Sequence, residues 1–503
     1  MSRLELLPTA QQMRDADAAV IAAGTPGLTL MVRAGEAVAE AVRRMALPGS
    51  RILVVAGPGN NGGDGFIAGR LLAERGHRVT LALLGRRESL KGDAALAAEM
   101  WKGDVDSIQG APFEAADVIV DALFGTGLVR VLDGDARLAV ERINASGRPV
   151  LAVDLPSGID SDSGEVRGAA VLADRTVTFA ARKPGHLLMP GRRFCGAVEV
   201  ADIGIDPQAY PQADRQVPGR NPIVTFANHP VLWRGALPRP DLGWHKYERG
   251  HTLVASGGAT RTGAARLAAG AALRIGSGLV TIASPPEALG INAAHLTAVM
   301  LRGCDGPEGL YEILKDPRFN ALVLGPALGV HAATRAMVAV AMQARRNLVL
   351  DADALTSFEG LASEWHQAFH GFPAVITPHD GEFSRLFKGH PDILDPPSKI
   401  ERAKRAAGYT GAIVVLKGVD TVIAAPDGRA AINENGTPYL ATAGSGDTLC
   451  GLIAGLMAQH VPAFEAACAG VWIHAAAGAS FGPGLISEDL AELIPAVLRD
   501  LLS

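Results

Sequence analysis

Cysteine is scarce in this chain. Cys195, Cys304, Cys450 and Cys468 are scattered over 503 residues with no paired or metal-type spacing. That excludes a disulfide framework and a thiolate zinc site, and predicts four small buried hydrophobes in a reducing compartment. Aromatic residues make up only 5% of the chain, while Gly and Ala are abundant. This mixture suits α/β layers with close helix–strand packing rather than a β-sandwich or a disordered chain. Charge of one sign is also lacking: a net charge of −5 gives no electrostatic case for nucleic acid. Residues 1–10 contain no apolar core long enough for a signal peptide, and no run approaches a membrane span. A soluble, cytoplasmic protein without a membrane partner is expected. The length exceeds one ordinary core, so at least two domains are expected.

What is present is a series of apolar strands that end in small and acidic residues. Residues 4–45 read as helical, with a turn at Gly24-Thr25-Pro26-Gly27. The buried-strand run 51–56 closes on Gly57-Pro58-Gly59-Asn60-Asn61-Gly62-Gly63-Asp64-Gly65, followed by a helical pattern over 66–75 and a strand over 79–84. This is a βαβ unit with a glycine-rich loop at the carboxyl end of its first strand, where open α/β sheets bind ligands. It is not read as the dinucleotide-binding fingerprint, and no Walker lysine is present. Its two amides and one carboxylate suit a phosphate, a ribose or a hard monovalent cation.

Two further strand ends repeat the arrangement. Residues 117–121 end in Asp121 and the turn Ala122-Leu123-Phe124-Gly125-Thr126-Gly127-Leu128, and residues 149–154 end in Asp154-Leu155-Pro156-Ser157-Gly158. Asn61, Asp121, Asp154 and Ser157 can therefore converge at one edge of a parallel sheet, where oxygen ligands suit an alkali cation or a sugar hydroxyl. Each aspartate alone is equally a turn former; three on successive strands weaken that alternative. The strand 176–180 runs on to Lys183, readable as a phosphate clamp, a proton-transfer partner or an ordinary surface lysine.

Prolines cluster between residues 206 and 240, so the domain boundary is placed between residues 222 and 223. The second half restarts with strands at 251–255, 278–283, 321–324, 348–350, 374–376 and 412–416, largely separated by helices such as 263–274. A largely parallel sheet follows. The halves share this rhythm without a spaced sequence repeat. Near the end, Ala443-Gly444-Ser445-Gly446-Asp447-Thr448 leads into an apolar helix. Small residues leave backbone N–H groups uncovered where the helix dipole is positive, which makes an anion seat. A carboxylate there reads as a base facing a hydroxyl near a transferable phosphate. The alternative is that Ser445 or Asp447 only caps the helix.

Taken together, these residues resemble a known two-domain arrangement. Asn60 to Gly65, Asp121 to Gly127, Asp154 to Asp160 and Thr178 to Gly185 resemble the NAD(P)H-hydrate epimerase domain. Gly263-Ala264, Gly325 to Gly329, Asp351 to Leu355, Thr377 to Glu382, Lys417 to Asp420 and Ala443 to Asp447 resemble the ribokinase-like ADP/ATP-dependent NAD(P)H-hydrate dehydratase. Two departures stand out: Ala327 where the family usually has glycine, and Asp380 where it usually has proline. The resemblance implies an α/β protein with a Rossmann-like three-layer α/β/α domain over residues 1–222 and a ribokinase-like α/β domain over 223–503. It implies interconversion of the R and S hydrates of NADH and NADPH, and dehydration of the S form at the expense of ADP or ATP. Asp154 with Lys183, and Asp447, are the implied catalytic groups. Substrate contacts are implied for Asn60, Asn61, Gly62, Gly63, Asp64, Gly125, Thr126, Gly127, Leu128, Val129, Arg130, Val131 and Asp154 in the first domain. In the second they are Ala264, Gly325, Ala327, Gly329, His379 and Asp447. Lys417, Gly418, Val419, Asp420, Thr421, Gly444, Ser445 and Gly446 would hold the nucleotide with its Mg2+. Asn61, Asp121 and Ser157 would ligate K+, and a homo-oligomer is expected.

Two other readings fit the residues. One is a ribokinase-type small-molecule kinase with an N-terminal nucleotide-binding module, because base and anion seat serve either outcome. The other makes the front half a non-catalytic sensor, against which the acid/base pair at the sheet edge argues.

Overall fold

The computed structural model describes residues 4–205, 223–239 and 241–502. The expected boundary between residues 222 and 223, and Pro207, Pro211, Pro218, Pro222 and Pro240, lie at or outside the edge of what is described. The chain forms two compact units, Leu6–Thr225 and Phe226–Ser503, the latter joined by Met1–Glu5.

The first unit is built on seven strands: β1 Arg51–Ala56, β2 Arg78–Leu83, β3 Val105–Ser107, β4 Val118–Ala122, β5 Val150–Val153, β6 Arg175–Phe179 and β7 Ala197–Ala201. They pair in parallel in the order β3-β2-β1-β4-β5-β6-β7. The central strands β1, β4 and β5 are buried because helices cover both sides, which is why they read as near-continuous hydrophobic runs, broken by Asp121 in β4. The edges are short or charged: Asp106 lies on β3 and Glu199 on β7, both exposed, so neither edge invites another strand. The sheet order reverses between β1 and β4, and ligands bind in the crevice at such a switch point.

The turn after β1 corrects the sequence reading twice. The helix begins at Asn60, not after the glycines, and runs to Glu74. The spacing Gly57-Pro58-Gly59-Asn60-Asn61-Gly62 is moreover that of the dinucleotide fingerprint, in its strand–turn–helix context. The glycines are there for close approach. A Cβ on Gly57 would lie 1.8 Å from the Leu123 carbonyl oxygen, and one on Gly62 would lie 1.9 Å from that of Gly57. The fingerprint's acidic residue after the second strand is missing, since β2 runs out into Leu84-Gly85.

The second sheet contains β8 Thr225–Ala227, β9 His251–Ala255, β10 Leu279–Ser284, β11 Met300–Gly303, β12 Ala321–Leu324, β13 Asn347–Leu350, β14 Ala374–Ile376, β15 Ile413–Leu416, β16 Val422–Ala424 and β17 Ala430–Ile432. Their order is β11-β10-β9-β12-β13-β14-β15-β16-β17-β8. The pairs from β11 to β15 are parallel, and β15-β16-β17 is an antiparallel meander. The apolar helix Ser445–Ala458 packs on Gly263–Arg274 through its glycines. A Cβ on Gly451 would stand 2.0 Å from the Ala268 carbonyl oxygen. This contact holds the amino end of Ser445–Ala458 at the carboxyl ends of the parallel strands. Among the described residues, no single helix is long and apolar enough to cross a membrane.

Candidate active sites

In the first unit, a cleft of about 450 Å³ opens at the switch point. It is lined from the helices by Met13, Asp17 and Met31, and from the strand ends by Asn61, Asp154 and Lys183, among others. Asp154 sits directly after β5 with φ 66°, a left-handed conformation that aims its side chain back across the sheet edge. Its Oδ1 accepts from Lys183 Nζ (2.7 Å) and Thr178 Oγ1 (2.9 Å), and its Oδ2 accepts from the Thr126 N–H (3.0 Å). Lys183 is 2% exposed. Its ammonium uses its three protons on Asp154, Thr178 Oγ1 (2.7 Å) and the Phe179 carbonyl (3.2 Å). It is therefore neither a surface lysine nor a free clamp. Burial raises the Asp154 pKa, but Lys183, the Thr126 N–H and the other donors bring it below its ordinary value. Burial pushes His186 down to about 4. The neutral ring accepts the Lys183 N–H at Nδ1 (2.9 Å) and donates from Nε2 to the Asp154 carbonyl (2.9 Å).

Beneath this pair, Asp121 is fully buried and accepts from Ser157 Oγ (2.6 Å), the Ser157 N–H (2.8 Å) and the Leu123 N–H (3.2 Å). Burial raises it to about 6, and no ion pair among the described residues includes it. Asn61 lies over the same turn, its Oδ1 2.9 Å from where a Gly125 Cβ would stand. Its buried amide nitrogen has no hydrogen-bond partner. A buried carboxylate without a counter-charge, a hydroxyl and an underused amide form an oxygen-rich set that fits a monovalent cation.

The structure brings Asn60, Asn61, Asp64, Gly125, Thr126, Gly127, Asp154 and Lys183 to one cleft. It does not bring the others there. Gly62 and Gly63 are buried in packing, Leu128 turns into the core, and Val129, Arg130 and Val131 are exposed outside the lining. Asp17 was missed by the sequence reading. It lies with Met13 and Ile21 on one stripe of the helix Ala10–Ala22, and a carboxylate inside such a stripe was the available signal.

In the second unit, Gly444 begins the helix Ser445–Ala458 with φ 89° and no side-chain cap. Ser445 Oγ is 3.1 Å from His474 Nε2. Among the described residues, no hydrogen bond or ion pair engages the Asp447 carboxylate. The capping alternative is thereby excluded for both residues. The first intrahelical bond runs from the Thr448 N–H to the Gly444 carbonyl (3.1 Å), and the Ser445 N–H, expected to face the anion, donates instead to the Thr442 carbonyl (3.4 Å); the amides of Gly446 and Asp447 are left for a ligand. Beside them, Lys417 Nζ donates to Asp351 Oδ1 (2.7 Å) and lies 3.8 Å from Glu382 Oε2. Lys417 Nζ and Asp351 Oδ2 stand 3.6 and 3.5 Å from where a Gly446 Cβ would be. Burial and the neighbouring Asp351 charge raise Asp447 to about 6, against the pull of Lys417. Two carboxylates beside one lysine at an anion seat fit a divalent cation that arrives with phosphates.

The remaining predicted residues lie at strand ends and in the first turns of helices. Gly329 donates its N–H to Asp353 Oδ2 (2.8 Å), and a Cβ on Gly325 would lie 1.8 Å from the Asp351 carbonyl oxygen. His379 caps the helix Asp380–Leu386, accepting the Gly381 N–H at 3.0 Å, with its side chain half exposed. Asp380 stands at the first helical position, where the dipole favours an acid and geometry favours proline, so either residue serves. Asp420 pairs with Lys399 (2.8 Å), Thr421 Oγ1 closes on the Gly418 carbonyl (2.8 Å), and Val419 is exposed. Ala264 lies in the first turn of Gly263–Arg274.

Residues 252–494 match the family model for NAD(P)H-hydrate dehydratase, and residues 27–185 match that for the YjeF-related protein N-terminus. The bifunctional NAD(P)H-hydrate repair enzyme Nnr of Moorella thermoacetica is 37% identical over 508 residues, covering 95% of this chain and 93% of its own. That of Thermofilum pendens is 38% identical over 501 residues, covering 94% and 92%. The chain belongs to the bifunctional NAD(P)H-hydrate repair enzymes. The crystal structure of an ADP/ATP-dependent NAD(P)H-hydrate dehydratase from Bacillus subtilis, co-crystallised with ATP/Mg2+, is 27% identical, with a TM-score of 0.48 over 55% of this chain and 98% of that one. Within the repair-enzyme family, the Ala327 departure has a measurable consequence. Ala327 adopts φ 60°, a conformation that costs an L-residue what it does not cost glycine. Ala327→Gly is expected to stabilise the chain by about 1 kcal/mol, read as a higher midpoint in urea.

Proposed function

We infer that the first unit interconverts the R and S hydrates of NADH and NADPH, and that the second dehydrates the S form with ADP or ATP as phosphoryl donor. The observation that carries this reading is the Asp447 carboxylate, half-buried and unengaged at the bare amino end of Ser445–Ala458. Asp447 takes the proton of the hydrate's hydroxyl as its oxygen attacks the terminal phosphoryl group. The amides of Gly446 and Asp447, with Lys417, hold the developing negative charge. Phosphate then departs where hydroxide could not, and elimination restores the ring. Mg2+ arriving with the nucleotide would be held by Asp351 and would supply charge neutralisation at the phosphates.

In the first unit Asp154, fixed in its ionised form by Lys183, stabilises the cationic ring left when water departs and assists its return. Asn61, Asp121 and Ser157 would hold K+, which would supply positive charge beneath the turn at Gly125 to Gly127. We extend the family relationship to a cytoplasmic location and a homo-oligomeric state.

The deciding experiment gives the S hydrate with ADP and with ATP. Free phosphate and recovered reduced-nicotinamide absorbance are expected; accumulation of a stable phosphorylated alcohol would instead establish a kinase. A second measurement concerns K+. Replacing it by tetramethylammonium should slow R-hydrate conversion in the native chain and leave the residual rate of Asp121→Asn unchanged. An equal salt response in both would remove Asp121 from the cation site.

A further inference from the structure

Epimerisation through loss and return of water asks for a proton-transfer group at each face of the ring. Asp154 supplies one from the sheet edge. The wall made by the helix Ala10–Ala22 supplies Asp17, whose neighbours Met13 and Ile21 line the same cleft. We propose that Asp17 is the second proton-transfer group of the epimerase cleft, serving the face of the ring turned away from Asp154. This rests on the epimerase reading above.

The two carboxyl groups are set apart by their surroundings. Asp154 has the Lys183 ammonium at 2.7 Å and stays ionised. Asp17 has no ion pair with that lysine, and burial, partly offset by the Lys183 charge and reinforced by that of Asp154, raises it to about 6. The other charged groups lining the cleft are Arg14, Asp64 and Asp93; Asp64 is itself raised well above its ordinary value by burial and by the Asp154 and Asp17 charges. Two carboxyls with separated proton affinities divide acid and base work between them.

The step balances as follows. The Asp17 carboxylic acid gives its proton to the hydroxyl on its own face, and the C–O bond breaks. Water leaves and the ring nitrogen lone pair forms the C=N+ bond. Water then adds to the other face, and its surplus proton passes to the Asp154 carboxylate. The product is the other epimer, and the two carboxyl groups have exchanged one proton, which returns through solvent. Starting from the other epimer, the same steps run in reverse, from the minor form of the enzyme in which Asp154 holds the proton and Asp17 is ionised.

The test uses the full chain and each purified epimer separately, with interconversion followed chromatographically. Circular dichroism and the unfolding midpoint in urea report on folding of the first unit, and dehydration of the S epimer by the same sample reports on the second. Asp17→Asn is expected to lower interconversion about 10²- to 10⁴-fold, and Asp17→Glu to restore part of it. In the native chain, kcat/KM from the epimer facing Asp17 should fall as pH rises through about 6, and that limb should vanish in Asp17→Asn. Native rates in Asp17→Asn, or a loss that leaves the limb in place, would overturn the assignment. If the native chain fails to interconvert the epimers at all, the epimerase reading itself falls. If Asp154→Asn is inactive while Asp17→Asn is not, only this inference falls.

Discussion

Asp447→Asn is expected to lower nucleotide-dependent recovery of NADH from its S hydrate about 10²- to 10⁴-fold, without loss of the fold. Among the described residues the side chain has no hydrogen bond that the amide would break, and Gly444, not Asp447, begins the helix. Stability should therefore change little, while the base is lost, an effect typically worth about 10²- to 10⁴-fold. Nucleotide binding should persist, because the helix amides and Lys417 are untouched. The pH dependence has a definite sign. A base must be ionised to act, and Asp447 is raised to about 6 by burial and by Asp351, so kcat/KM for dehydration should climb as pH rises through about 6. Asp351→Asn removes the neighbouring negative charge and should move that limb to lower pH. Near-native turnover in Asp447→Asn, measured by absorbance and phosphate release, would remove this residue from the chemistry.

Much of this arrangement was legible in the sequence because buried parallel strands announce themselves. Ala321–Leu324 and Ala374–Ile376 are apolar throughout, His251–Ala255 is apolar from Leu253 on, and they stop at Gly, Thr-Pro and Ser turns, which are also the ligand-binding positions of the sheet. Of the three-residue strands, β14 is marked by the Thr-Pro turn that ends it, whereas β3, β8, β16 and β17 are too short to show a period. Glycine misled at Asn60–Gly65, where it was read as loop. There the residues are helical, and the missing side chains make room for Gly57, Met31 and Ala122. Pairings between strand ends were illegible for another reason. Lys417 and Asp351 lie 66 residues apart in sequence, and nothing local to either marks the other. Asp17 illustrates the middle case: its helix was foreseen, but the carboxylate on the apolar stripe drew no notice until the cleft gave it neighbours.

Breaking the Asp154–Lys183 pair should produce the largest loss of stability and of epimerase activity together. Lys183→Met leaves Asp154 buried with Thr178 and the Thr126 N–H as donors but without its cation. Removing one partner of a buried pair costs about 3–5 kcal/mol, and the carboxyl group would answer by taking up a proton, losing the charge that the ring cation needs. Asp154→Asn is gentler. Asparagine tolerates the φ of 66° better than alanine does, and its amide oxygen can still accept from Lys183, although the lysine charge then lies uncompensated. In Asp154→Asn with Lys183→Met, neither charge is buried, so unfolding in urea should regain most of the stability lost in Lys183→Met. Interconversion of the epimers should nevertheless remain about 10²- to 10⁴-fold below native. Dehydration of the S epimer, carried by residues of the other unit, reports independently that the sample is intact. Recovery of epimerase activity along with stability would show that the pair serves only to hold the fold, whereas stability without activity identifies Asp154 as the group that meets the ring.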